Sequence, residues 1–243
     1  MRLKLVFSYD GTPYHGWQVQ KSVVTVQGTI GEAFERLLGA RVDLTGCSRT
    51  DTGVHARNFV CHTDLELPFP PSKLPVVLNS FLPDSIALLS AQEVPSDFHA
   101  RYSVKTKTYR YRIYPSPVRD PIRNNRVLFW HKPVDFARFE EGAKYFIGKR
   151  DFSACMASGS KITDPVRTVT DCRGFSLGDE LCLEISADGF LYNMVRIIVG
   201  TLLSYACGGG VENIPDVLQS RDRTKAGFTA PPCGLYLWQV DYE

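Results

Sequence analysis

The chain has no long hydrophobic run. Its longest apolar stretch, 195–207, contains Arg196 and falls short of the ~20 residues that span a bilayer. It has no CxxC pair. The seven cysteines, at 47, 61, 155, 172, 182, 207 and 233, are odd in number and scattered, which argues against a zinc ribbon and a disulfide framework. A reducing, cytoplasmic compartment is the expectation. The opening MRLKLVFSYD turns polar too soon to read as a signal peptide. No GxGxxG, GxSxG or HExxH occurs, and the glycines at 208–210 lack the Lys-Ser/Thr of a phosphate-binding loop. Cys47, His55, Cys61 and His62 match no zinc spacing, so neither cofactor nor metal is expected. The composition has no strong bias either. Hydrophobic residues are 44% and charged residues 22% of the 243, which is ordinary globular usage and excludes a collagenous or disordered chain. At this length folding buries roughly 70% of the unfolded surface.

The net charge of +2 is small, but the charge is uneven. Between Arg101 and Arg150 thirteen Lys/Arg accompany four Asp/Glu, a net of +9, and the remainder carries −7. A basic segment in an acidic chain is either an electrostatic footprint for a polyanion or a solvated charged face.

Periodicity divides the chain into two similar halves. Arg2 to Tyr9 alternates as a strand. Thr25 caps a helix with Ile30, Phe34, Leu37 and Leu38 on its apolar face and Gly39 at its end. A short strand is expected over 41–45, a polar loop over 46–58, a strand over 59–67, a helix over 72–79 and a strand over 86–94. In the second half, strands are expected over 105–114 and 127–131, a helix over 136–146, and a hairpin over 168–187 turning at Leu177, Gly178 and Asp179. A strongly apolar helix over 190–206 ends at Gly208. A short helix over 213–219 and a strand over 235–241 close the chain. Each half reads roughly as β-α-β-β-α-β, the ferredoxin-like order. The expected architecture is α+β: two ferredoxin-like (RRM-like) halves, 1–100 and 101–243, forming a continuous mostly antiparallel sheet, with helices on one side and a central active-site cleft.

Three clusters could carry chemistry. Arg49, Thr50, Asp51, Thr52 and Gly53 suit a carboxylate held at a strained turn, although an Asx-turn is the ordinary reading of such a segment. Arg196 lies in FLYNMVRIIVGTLL, and an arginine among apolar neighbours needs a carboxylate partner. Asp51 is the candidate from the other half and Asp188 the local alternative. Lys105, Lys107, Tyr109, Arg110, Tyr111 and Arg112 interleave charge with rings, either as nucleotide binding requires or as a half-buried strand with its tyrosines in the core. On a strand, Tyr109 and Tyr111 share one face and Arg110 and Arg112 the other. Arg173, Gly174 and Phe175 begin like an RNA-recognition motif, but Leu177 and Gly178 break it.

Seven segments in order resemble the tRNA pseudouridine synthase A (TruA) family: YDGTPYHGWQVQ (9–20), GCSRTDTGVHA (46–56), DFHARYSVKTKTYRYRI (97–113), DFSACMASGS (151–160), DPVRTV (164–169), GFLYNMVRIIVGTLL (189–203) and AGFTAPPCGLYL (226–237). Cys47, Ser48 and Thr52 depart from the residues frequent there and flank the aspartate without replacing it. The resemblance implies an isomerase that converts uridine to pseudouridine in the anticodon stem-loop of tRNA. It breaks the C1′–N1 bond, turns the uracil and rejoins it through C5. It further implies catalytic Asp51, Tyr109 stacked on the base and assisting proton removal at C5, and Arg196 paired with the aspartate. Arg49 would help extrude the base, Arg110 would bind substrate and Leu235 would line the pocket. The implied enzyme is a homodimer acting on tRNA, with no cofactor, metal or membrane. A catalytically silent RNA-binding module on the same fold is the alternative.

Overall fold

The structure, a computed structural model, describes residues 1–159 and 162–242. Ser160, the last residue of one motif segment, lies outside them. The chain forms two compact units: Met1–Lys105 together with the chain from Tyr236 onward, and Thr106–Leu235. The terminal strand, assigned to the second half from sequence, thus joins the first.

In the first unit, β1 (Arg2–Tyr9) alternates strictly, with Leu3, Leu5, Phe7 and Tyr9 buried. It is flanked by two antiparallel partners, β3 (His55–Asp64) and β4 (Ile86–Val94). Helix α1 (Val26–Leu38) starts where the Thr25 hydroxyl accepts from the Gly28 N–H, which satisfies one of the free amides of its first turn. It ends at Gly39, whose φ of 74° suits a residue without Cβ. Its Ile30 and Phe34 enter the core. Two strands share the remaining edge of β3. The two-residue β2 (Thr45–Gly46) pairs antiparallel with His62 and Cys61, and β10 (Leu235–Asp241) pairs in parallel, Tyr236 with His55 and Leu237 with Ala56. A 3₁₀ turn at Pro71–Lys73 leads into α2 (Leu74–Asn79).

The second unit is built on β5 (Thr106–Pro115), β8 (Val166–Leu177) and β9 (Glu180–Ala187), all antiparallel in the order β5-β9-β8. β6 (Leu128–Trp130) pairs in parallel with the end of β5, and β7 (Gly148–Asp151) pairs with β8. Helix α3 (Phe136–Lys144) packs on β8 and on α4 (Met194–Ala206), and α5 (Ile214–Ser220) follows. The mixed α/β, mostly antiparallel class agrees with the sequence reading.

The strand expected over 41–45 shrinks to Thr45–Gly46, and two further boundaries and one element differ for physical reasons. The loop expected over 46–58 already becomes strand at His55, because β1 and the distant β10 both supply partners there, Tyr9 and Leu237 to Ala56 and Tyr236 to His55. The apolar helix begins at Met194 and not at 190, because Asn193 has φ 58° and ψ 12°, which a right-handed helix excludes. β7 was not anticipated, since GKRD has no alternation to reveal it.

Candidate active site

Asp51 stands in a tight turn whose geometry is imposed from outside. The Val54 N–H donates to the Asp51 carbonyl (3.1 Å), and Gly53 takes φ 77°, the conformation that glycine adopts without a steric penalty. The segment 9–20 wraps this turn. The Trp17 N–H donates to Thr50 O (3.1 Å), and the Gly53 N–H to Tyr14 O (3.3 Å). Tyr9 Oη and Thr50 Oγ1 share a buried hydrogen bond of 2.8 Å. Trp17 is itself fixed by stacking on Phe59, ring centroids 3.9 Å apart. What sequence suggested was only a polar loop is therefore the clamp on the Asp51 turn. The close pair of glycines, Gly11 and Gly16, was the available signal.

His55 closes the turn on its other side. It is buried and stacks on Tyr236, centroids 4.6 Å apart. Its Nδ1 lies 3.1 Å from the Gly11 amide and 3.0 Å from Asp10 Oδ1. An unprotonated Nδ1 accepts from the first, and a protonated one donates to the second; one nitrogen cannot do both at once. Arg49 is exposed and Asp51 half-buried.

The second unit assembles the other expected residues. Tyr109 and Tyr111 point to the same buried face of β5. Phe190 meets the Tyr109 ring edge-on, with centroids 5.0 Å apart and planes at 85°, a favoured aromatic geometry. Tyr111 Oη donates to Pro231 O (2.6 Å). Burial pushes its phenol well above the ordinary value, the Cys233 thiol adds to that, and the Arg196 charge opposes it. Arg196 is half-buried on α4. Its Nε donates to Ala230 O (2.7 Å) and its Nη1 to Asn193 Oδ1 (2.7 Å). Asp188, the local alternative as its partner, accepts from the Thr168 N–H (3.0 Å). Leu235 is buried. The segment that supplies Ala230 lies unusually close to α4. A Cβ on Gly200 would stand 1.7 Å from Phe228 O, so only glycine permits the approach.

The basic run is less available than its charge suggests. Arg110 faces away from Tyr109 and pairs with Glu184 (2.5 Å), which also holds Arg173 (2.6 Å). Arg112 pairs with Glu180 (2.7 Å), and Arg123 with Asp120 and Asp179. Burial raises the Glu184 carboxyl, but the hydrogen bonds from Arg173 and Arg110 prevail and hold it below its usual value. Part of the +9 is thus matched by Asp179, Glu180 and Glu184, which the sequence places elsewhere.

A family model described as tRNA pseudouridine synthase matches residues 5–103 and 143–243. The chain belongs to the tRNA pseudouridine synthase family. A protein named tRNA pseudouridine synthase A from Thermoanaerobacter sp. (strain X514) is 48% identical over 242 residues, 98% of each chain. One of the same name from Ruminiclostridium cellulolyticum is 45% identical over 243 residues, and one from Acetivibrio thermocellus 46% over 241, each covering 99% of both chains. Tyr109 and Arg110 fall between the two matched stretches; the near-full-length similarity to these relatives spans them. Among the described residues no group of three or more His, Cys, Asp or Glu could hold a metal ion, and no helix is long and apolar enough to cross a membrane.

Proposed function

We propose that this protein isomerises uridine to pseudouridine in the anticodon stem-loop of tRNA. The near-full-length similarity to proteins named tRNA pseudouridine synthase A carries the reading. The clamped carboxylate turn and the edge-packed tyrosine support the assignment of roles.

The target uridine must leave its stack, at a cost of a few kcal/mol. Arg49, exposed beside the turn, assists that extrusion, and the Tyr109 ring receives the base by stacking. Leu235 lines the base pocket. Asp51 serves as nucleophile or base, and Arg196 supplies positive charge for the reaction. The C1′–N1 bond breaks, the uracil turns, and a C1′–C5 bond forms. The proton on C5 leaves with help from Tyr109, and N1 ends protonated, so atoms balance with no cofactor or metal. The enzyme works as a homodimer in the cytoplasm.

The test is tRNA carrying tritium at uridine C5. Release of tritium to water at a rate proportional to enzyme, with pseudouridine appearing in the anticodon stem-loop, is the expected result. Tight tRNA binding without release would leave the silent RNA-binding module. Light scattering at micromolar concentration tests the dimer.

A further inference from the structure

We propose that Asn193 is a positioning residue that sets the orientation of the Arg196 guanidinium. The inference rests on the catalytic reading of Arg196 given above and adds a residue to it.

Asn193 occupies the N-cap of α4, where an asparagine ordinarily accepts from a backbone N–H of the first turn. Here no such cap bond forms. The side-chain oxygen instead accepts from Arg196 Nη1 at 2.7 Å, so the helix start gives up a local bond to the arginine. The backbone is also unusual, with φ 58° and ψ 12°. This left-handed conformation is tolerated chiefly by Gly, Asn, Asp and His. It ends the 189–193 segment sharply and sets the Asn193 side chain against residue 196, within one turn of the helix.

The guanidinium is planar, so two fixed contacts define its plane. The second contact is Nε to Ala230 O at 2.7 Å. Ala230 is in turn anchored, because its N–H donates to the Arg196 carbonyl at 3.0 Å. The 226–230 segment reaches α4 only across Gly200, and the Gly227 N–H holds it through Thr201 Oγ1 at 3.0 Å. Of these two contacts one is main chain and rigid, and the other is the side chain of Asn193. The bond at Nη1 restrains rotation about Nε–Cζ and Cδ–Nε, which the bond at Nε does not by itself prevent.

The test replaces the side chain without disturbing the turn. Asn193→Gly keeps the left-handed backbone and removes the amide. Its kcat for tRNA falls roughly 10-fold to 100-fold, as for a misoriented catalytic group, with KM and melting temperature little changed. Asn193→His restores kcat, since its Nδ1 stands where Oδ1 did and His also accepts this backbone. Should the glycine variant not fold, Asn193→Ser, one bond too short to reach Nη1, takes its place. Nitrogen NMR of the arginine side chain gives a readout independent of turnover: the Nη signals of Arg196 average in the glycine variant and stay distinct in the wild type. Arg196→Met, measured alongside, separates the two ideas. If it is inactive while Asn193→Gly turns over at the wild-type rate, the positioning role is wrong and the reading of Arg196 survives. If Arg196→Met is itself active, both fall. Failure of His to rescue a folded, slow glycine variant also overturns the inference.

Discussion

Gly11 and Val54 approach so closely that a Cβ on Gly11 would lie 2.0 Å from the Val54 carbonyl oxygen. Backbone meets backbone here, so no side-chain rotation can relieve the contact. The Asp51 turn is thereby seated directly on the segment that follows β1.

Gly11→Ala should therefore displace the turn that carries Asp51. The expected result is a loss of kcat of tenfold or more together with a destabilisation of about 1–3 kcal/mol from overpacking. Gly39→Ala is the contrasting variant. Its added Cβ meets open space, and the residue only suffers the left-handed φ of 74°. It should lose stability on the order of 1 kcal/mol and keep its kcat. Equal kcat losses in the two variants would mean that the close approach has no special bearing on Asp51.

Asp51→Asn should abolish turnover while changing tRNA affinity less than tenfold. Asparagine preserves shape and loses the charge that attacks or abstracts. Tritium release and filter binding on the same preparation measure the two quantities. Multiple turnover by a clean Asp51→Asn preparation would falsify the central role of this carboxylate.

Binding of tRNA should weaken steeply with salt, because each phosphate contact releases counterions. The dependence should be shallower than thirteen cations would produce. Arg110, Arg112 and Arg123 are already matched by Glu184, Glu180 and Asp179. Lys132 and Lys149 are exposed. Neutralising either exposed lysine is expected to reduce the slope of log K against log salt by about 1, whereas Arg112→Gln leaves it unchanged. The opposite ranking would mean that the Arg112 face meets the RNA.

The Glu184 carboxyl sits below its usual value in the folded protein. A depressed carboxylate adds stability that is fully present above its unfolded value and is lost as pH falls through the folded one. Glu184→Gln should thus melt lower than wild type near neutral pH, by roughly 1–3 kcal/mol for a charged hydrogen-bonded pair. The gap should close on acidification below the ordinary glutamate value and through the lower folded one. Melting curves from pH 7 to pH 3 decide it. A gap that is constant with pH would mean that packing, and not the ion pairs with Arg110 and Arg173, is what Glu184 provides.

Much of this protein was legible in local pattern. Strands 2–9, 86–94, 180–187 and 235–241 and the Thr25 and Gly39 caps follow from alternation and end chemistry, which act over a few residues. So does the division of β5 into a tyrosine face and an arginine face. The order of seven motif segments was enough to identify the family, because their resemblance is read residue by residue and needs no knowledge of packing. What tertiary structure alone decided lies at long range. Pairing with β1 and β10 draws His55 and Ala56 into strand, and only the wrapping of 9–20 turns a polar loop into the clamp on Asp51. Only the meeting of β5 with β9 sets carboxylates against Arg110 and Arg112. Asn193 shows the same limit at short range. Its composition reads as helix, but its backbone bends to the left and its side chain serves Arg196. Periodicity reports which faces are apolar; it does not report which distant backbone a glycine will admit or which charge a strand will meet.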